Sequence, residues 1–336
     1  MDRQCFYYAL PEKLIAQHPL HHRDQARLMI IDRKKKTIEH DIFSHIDQYF
    51  SQPAIFVLNN SKVLPARLLT NRQSTGGVVE LFLLEQLEDE YCYRVLMRPM
   101  RRLKEGEVIF FPRSRLRAVI IDKEKRIVRF NTRNIKTYLN KFGHIPLPPY
   151  IKRLDTPEDR KYYQTVYAKK GGSVASPTAG LHFTQRLLNK LKRQGHEIEE
   201  VTLHVSYGTF QPVEERRIED HPMHTEQYQV NKRVFHKVRT AKLDRKPIVS
   251  VGTTSCRTLE SLAKYGKLAG KTDIFIYPGY AFQYIDALIT NFHLPYSTLL
   301  MLVYAFGGET LMREAYQEAI KKKYRFFSYG DAMLIM

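Results

Sequence analysis

The chain has 336 residues, 43% of them hydrophobic and 12% aromatic, enough apolar surface for a large buried core and too much for wholesale disorder. Fifty-four Lys and Arg against thirty-five Asp and Glu leave a formal charge of +19, which favours a polyanionic partner, nucleic acid before anionic membrane. The longest unbroken apolar run, Leu299–Phe306, is too short to cross a bilayer, and three scattered cysteines offer neither a disulfide framework nor a clustered metal site. With no secretory-type apolar stretch at the start, a reducing cytoplasm is the expected setting.

Residues 1–65 read as the start of an α/β unit: a strand at Ala26–Asp32, a hairpin partner at Lys36–His40, a short helix around Phe43–Phe50 and a buried strand at Ala54–Leu58. From 66 to 144 the character changes. Five short strand candidates, Val78–Leu84, Tyr91–Met97, Glu107–Phe111, Leu116–Ile121 and Arg126–Phe130, follow one another closely, as in an antiparallel barrel or sandwich. Across Arg98–Arg129 eleven Lys or Arg face four Asp or Glu, either a solvated strand face or a phosphate-contacting surface. The prolines of His144–Tyr150 then make a stiff extended passage.

Beyond it, strands and helices alternate. Strands are expected at Ile198–Val205, Glu226–Val230, Pro247–Val251 and Asp273–Tyr277. Helices are expected from Thr184 to a stop at Gly195, from an Asn231 cap to Leu243, over Thr253–Tyr265, over Ser297–Phe306 and over Glu309–Lys322. The fold class is therefore α/β: a mixed α/β main domain, 1–65 and 145–336, interrupted by an inserted all-β, barrel-like domain, 66–144. In such sheets ligands bind outside the carboxyl ends of the strands.

Five stretches could carry chemistry there. Gly171–Phe183 holds three glycines, a proline, three hydroxyls and His182, and leads into a helix; it is either a ligand loop or a tight turn. Gly252-Thr-Thr-Ser-Cys-Arg257 is a strand-to-helix turn whose three hydroxyls either hold a ligand or cap the helix, although a cap needs only one. Thr202–Phe210 alternates as a strand and puts His204 on the face of Thr202 and Ser206, as a structural or a catalytic histidine. His221, His224 and Glu226 have metal-ligand residue types, but a proline intervenes and nothing nearby completes the set, so no metal is expected. Thr290–Pro295 places Asn291 and His293 at a strand end, and Tyr324–Met333 packs aromatics beside Arg325 and Asp331, as a core strand or a base-stacking surface.

Nine pieces, in order along almost the whole chain, resemble one family, the S-adenosylmethionine:tRNA ribosyltransferase-isomerases of the queuosine pathway. They are Leu10–Gln17, Val63–Leu68, Arg101–Gly106, Gly143–Ile151, Gln164–Ala168, Pro177–Thr184 (Pro-Thr-Ala-Gly-Leu-His-Phe-Thr), Val251–Ser255 (Val-Gly-Thr-Thr-Ser), Thr290–Pro295 (Thr-Asn-Phe-His-Leu-Pro) and Phe326–Met333. Tyr8 and Asn60 stand where the family usually has Asp, Lys62 where it has Arg, Ser176 where it has Ala and Ser206 where it has Gly.

The resemblance implies an α/β domain with a β-barrel insert and no metal. It also implies transfer of the ribosyl part of S-adenosylmethionine, a consumed cosubstrate, to 7-aminomethyl-7-deazaguanine at the tRNA wobble position, with rearrangement to an epoxycyclopentane and release of adenine and methionine. A sulfonium acidifies the neighbouring 5′-methylene, so one base starts the reaction; adenine leaves better when protonated. On this reading His182, His204, His293 and Glu226 are the candidates for proton transfer, with contact to the ribose hydroxyls the alternative for His182 and anchoring of a cation the alternative for Glu226. Pro177, Thr178, Ala179, Gly180, Phe183, Thr253, Thr254, Ser255, Asn291 and Asp331 would hold the cosubstrate, and Arg101, Arg102, Lys104 and Arg257 would contact tRNA phosphate. A cytoplasmic monomer, away from membranes, is expected. Two rivals share part of the signal. An RNA methyltransferase would use the same cosubstrate, but no Gly-rich loop follows Leu58; a non-catalytic RNA-binding module would explain the charge but not the histidine- and hydroxyl-bearing loops.

Overall fold

Leu28–Ile31 and Ile55–Leu58 have no polar face, and the computed structural model shows why: both faces of their sheet are covered. The structure describes residues 1–112, 114–206, 208 and 211–336. Met29, Ile31, Ile55 and Val57 point into one core, whereas Leu28, Ile30, Phe56 and Leu58 point into a second on the other side. The strand pleat, with its period of two, makes that division.

The sheet has nine strands: β1 (Arg27–Asp32), β2 (Thr37–Ile42), β3 (Ile55–Asn59), β4 (Glu197–Leu203), β5 (Glu226–Val230), β6 (Ile248–Val251), β7 (Ala269–Thr272), β8 (Ala287–Asn291) and β9 (Ala332–Ile335). They lie in the order β7-β5-β4-β3-β6-β8-β9-β1-β2. The central four, β4, β3, β6 and β8, run parallel, so their carboxyl ends share one edge. β9 runs antiparallel to β8 and parallel to β1.

The second core is closed by helix α1 (Gln185–Arg193) through Leu187, Leu188 and Leu191. Thr184 caps α1 by accepting the Leu187 N–H, and Gly195, at φ +86°, lies just past its end. The first core takes Val234 and Val238 from α2 (Lys232–Leu243), Leu259 and Leu262 from α3 (Thr253–Tyr265), Leu300 to Val303 from α4 (Thr298–Gly307) and Met312 and Ala315 from α5 (Glu309–Lys321). Asn231 and Ser297 cap α2 and α4 with their side chains, and Gly266 ends α3 in the left-handed conformation.

Two local expectations change. Asp273–Tyr277 is not a strand: Ile274 and Ile276 are buried alternately, which imitates one, but the edge strand is β7, just before them. Phe43–Tyr49 is a 3₁₀ helix.

A second unit comprises Val63–Leu147 and Leu154–Lys161. It is a closed six-stranded antiparallel barrel, in the order Ile127–Phe130, Cys92–Arg98, Val78–Gln86, Arg67–Arg72, Val108–Phe110, Arg117–Asp122. The sixth strand, Arg67–Arg72, has no apolar run to announce it, because only Leu68 and Thr70 face inward. An unforeseen helix, Ile135–Phe142, adds Ile135 and Leu139 to the barrel core. The unit is also longer than 66–144: residues 63–65, 145–147 and 154–161 belong with it. Asp155 explains the last of these, since its carboxylate contacts His144 Nδ1 at 2.7 Å and accepts the Ile145 N–H at 2.8 Å.

Candidate active site

At the carboxyl ends of the parallel strands of the larger unit, strand-end segments and the loop before α1 border a cleft open to solvent. Three separate stretches build it.

Where β6 ends, Gly252 turns the chain at φ +88°, ψ 156°, a conformation essentially reserved for glycine, and α3 begins at once. Thr253 and Thr254 of its first turn line the cleft. Neither caps the helix: the N-cap is Gly252, and Thr254 Oγ1 and Ser255 Oγ are buried with no partner among the described residues.

The loop Ala175–Ala179 forms a second wall. Ser173 fastens it to the end of β4, because its hydroxyl donates to the Ala175 carbonyl at 2.8 Å and accepts the Val205 N–H at 3.0 Å. A Cβ on Gly180 would lie 1.9 Å from Tyr167 Oη, so the turn below the wall packs only as glycine. Ser176 Oγ is buried without a partner among the described residues.

The third wall is the end of β8, Thr290 and Asn291, with His293 beyond it. Thr290 Oγ1 sits 2.7 Å from His293 Nε2, the His293 N–H donates to Tyr316 Oη at 3.0 Å, and the Tyr8 hydroxyl donates to the His293 carbonyl. Burial pushes this imidazole down to about 3, so it stands uncharged in the cleft. Phe327 and Ser328 complete the lining, with Tyr150 Oη 2.5 Å from Ser328 Oγ.

Of the expected site residues, Pro177, Thr178, Ala179, Thr253, Thr254, Asn291 and His293 therefore meet in one cleft. The others do not line it. Phe183 is fully buried, edge-on to Phe43 at 5.0 Å, and belongs to the second core. Gly180 and Ser255 lie just behind the walls they help to shape. Asp331 accepts the N–H groups of Arg27 at 3.0 Å and Arg325 at 2.8 Å, which ties β1 to the turn before β9. His204 stands against the Gly172 backbone, where an added Cβ would come within 3.0 Å of its ring, while Val205 reaches the cleft. Tyr207, Thr209 and Phe210 of the same stretch lie outside the described residues.

Glu226 and Arg257 are engaged with each other, away from the cleft lining. They form an ion pair with side chains 1% and 7% exposed. Glu226 also accepts the Ser206 N–H at 2.9 Å, and Arg257 Nε donates to the Ile274 carbonyl at 3.3 Å. Buried in that pair, the carboxylate is not a free base, and the guanidinium, whose Nη2 has no partner among the described residues, is not exposed to a phosphate. Nor do the metal-like residues gather: His221 pairs with Glu215 at 2.8 Å and His224 with Gln211 at 2.8 Å. Among the described residues no group of three or more His, Cys, Asp or Glu stands as metal ligands would.

His182 lies behind the third wall, its ring centroid 5.0 Å from that of Phe43 and Nε2 3.0 Å from Asn291 Nδ2. Burial, aided by the charges of Arg23 and Arg325, pushes it down to about 4. Burial lowers His204 as well. Tyr150 and Ser328 were missed as cleft residues, one because Pro-Pro before it reads as a linker, the other because aromatics dominate its surroundings. Of the unusual residues, Asn60 bonds Glu200 at 3.0 Å and Thr202 at 2.7 Å, holding β4, and Lys62 is exposed. Arg101, Arg102 and Lys104 are exposed at a turn of the barrel unit.

The model of the family described as "Queuosine biosynthesis protein" matches residues 3–335. The S-adenosylmethionine:tRNA ribosyltransferase-isomerase of Sulfurihydrogenibium sp. is 50% identical, with 100% of both chains covered. Its namesake from Natranaerobius thermophilus is 48% identical over 100% of this chain and 99% of its own. The crystal structure of the Thermotoga maritima S-adenosylmethionine tRNA ribosyltransferase aligns over 99% of this chain and 100% of its own, at 39% identity and a TM-score of 0.57. By its full-length matches, and with its cleft at the carboxyl ends of a mixed sheet, this chain belongs to the queuosine biosynthesis protein family.

Proposed function

We propose that this protein transfers the ribosyl part of S-adenosylmethionine to 7-aminomethyl-7-deazaguanine at the tRNA wobble position and isomerises it, yielding epoxyqueuosine-tRNA, adenine and methionine. The names of its full-length relatives support the reaction class. The observation in the structure that supports it most is the convergence of Pro177–Ala179, Thr253–Thr254 and Asn291–His293 on one cleft. There Ser176 Oγ, Thr254 Oγ1 and Asn291 Oδ1 are buried polar atoms without partners among the described residues. A buried polar atom is costly unless something bonds it, and a nucleoside with ribose hydroxyls and an amine supplies such bonds.

The cleft suits a cation. His293, uncharged above about pH 3, spares a sulfonium the repulsion that an imidazolium would exert. It is the proton-transfer candidate that lines the cleft, since Glu226 is paired away. General acid–base groups contribute about a hundred- to ten-thousand-fold each. Holding two large substrates in register contributes roughly 7–11 kcal/mol, so positioning carries more of the rate than any single proton transfer. Arg101, Arg102 and Lys104 meet tRNA phosphate. The enzyme works as a cytoplasmic monomer and consumes S-adenosylmethionine without a metal.

Incubation with precursor tRNA and S-adenosylmethionine, assayed for adenine and methionine, tests the reading. S-Adenosylhomocysteine in their place would identify a methyltransferase, and binding without any product a non-catalytic module.

A further inference from the structure

Asn291 Nδ2 lies 3.2 Å from the main-chain oxygen of Asp331 and 3.0 Å from His182 Nε2. A carbonyl oxygen can only accept, so the amide nitrogen, not its oxygen, must face Asp331. The same nitrogen then donates its second hydrogen to His182, which requires Nε2 to be unprotonated and leaves the ring proton on Nδ1. The Arg23 backbone also lies close enough to the His182 ring to favour a ring proton. Both amide hydrogens and the ring's Nε2 are thus committed. What is left over is Asn291 Oδ1, which is buried and has no partner among the described residues, on a residue that lines the cleft.

We infer that His182 is a positioning residue: its unprotonated Nε2, with the Asp331 carbonyl, locks the Asn291 amide so that Oδ1 is presented to the cleft as an acceptor for an N–H or O–H donor of the bound nucleoside. The inference rests on the reading that this cleft takes S-adenosylmethionine. It replaces the proton-transfer role that the sequence offered for His182, since that ring stands behind Asn291 and does not line this cleft. The site maintains the arrangement electrostatically as well. His182 is 5% exposed against Phe43, and the cations facing it, Arg23 and Arg325, oppose a second ring proton that would turn Nε2 from acceptor to donor. The lock joins residues 109 positions apart in the chain.

Two substitutions separate positioning from proton transfer. His182→Gln keeps an acceptor for Asn291 and a donor for Arg23 but cannot titrate; His182→Leu keeps neither. His182→Gln is expected to retain the S-adenosylmethionine Kd and adenine-release kcat within about threefold. His182→Leu is expected to weaken S-adenosylmethionine binding by about tenfold, the scale of one lost hydrogen bond, with both limbs of the kcat pH profile unchanged. A His182→Gln enzyme that binds normally but loses turnover a hundredfold, together with one limb of the profile, overturns the inference. Should the variants fail to fold by circular dichroism, side-chain nitrogen NMR of the unmodified protein decides alone. His182 is expected to show a protonated Nδ1 and a bare Nε2 between about pH 5 and pH 8, and the opposite tautomer or an imidazolium there overturns the assignment. Failure of the unmodified protein to bind S-adenosylmethionine would instead defeat the functional reading and leave the tautomer result standing.

Discussion

Arg257→Met removes one half of the ion pair with Glu226, whose two side chains are 7% and 1% exposed. The carboxylate left behind keeps the Ser206 N–H at 2.9 Å but loses its buried counter-charge. Breaking a buried pair in this way costs about 3–5 kcal/mol, because the remaining charge stays desolvated. For a unit of roughly 240 residues, about 2–4 °C per kcal/mol turns that into a melting point lower by about 6–20 °C. The double variant Glu226→Met/Arg257→Met removes both charges and should recover most of the loss, since an apolar pair of similar volume is often neutral. Calorimetry on the two single variants and the double completes the cycle, while tRNA binding is titrated against salt in parallel. A structural pair leaves the salt slope of tRNA affinity where it was. If Arg257→Met melts like the parent and its salt slope shrinks by roughly 0.7–0.9, the signature of one lost phosphate contact, the burial argument is refuted and the phosphate role returns.

Thr254→Val deletes a buried hydroxyl without a partner among the described residues, so stability should hold or rise slightly while S-adenosylmethionine affinity falls about tenfold; calorimetric titration with unchanged affinity would remove Thr254 from the binding set. Gly252→Ala places a side chain at φ +88° and should cost about 1–3 kcal/mol in urea unfolding, with loss of adenine release; a neutral result would mean the turn is not strained for Ala. The folded-state values of His182, about 4, and His293, about 3, lie below the 6.5 of a free imidazole, so the unfolded chain binds protons the folded chain refuses. Stability is therefore full above about pH 6.5 and falls as pH drops below it, by up to about 1.4 kcal/mol per pH unit for each histidine. His293→Gln should flatten that slope by one proton in urea midpoints measured against pH, and an unchanged slope would contradict the burial of His293. Replacing Arg101, Arg102 and Lys104 together by Ala should weaken tRNA binding and reduce its salt slope by about two to three, and leave S-adenosylmethionine binding alone.

Local chemistry made much of this protein readable in one dimension. Thr184, Asn231 and Ser297 cap helices that begin where their side chains reach a backbone N–H, and Gly266 ends one because it alone takes the left-handed turn without penalty. The apolar strands at 28–31 and 55–58 pointed to buried strands, and the crowded short strands after 66 to an antiparallel barrel or sandwich, of which the structure forms a closed barrel. Spacing failed where burial without pairing imitates a strand, as at Ile274 and Ile276, and where a strand carries little apolar content, as at Arg67–Arg72.

The sequence by itself determined which loops carry hydroxyls, imidazoles and amides at the ends of parallel strands, because capping, pleat and turn preferences act within a few residues. Sheet order decided the rest. Glu226 is 31 positions from Arg257, His182 is 109 from Asn291 and Tyr8 is 285 from His293, and nothing local distinguishes a free carboxylate from a paired one or a titrating ring from a satisfied one. Only packing brings such groups within hydrogen-bond distance and strips away their water, and those two facts settle which polar atoms are left over for a ligand.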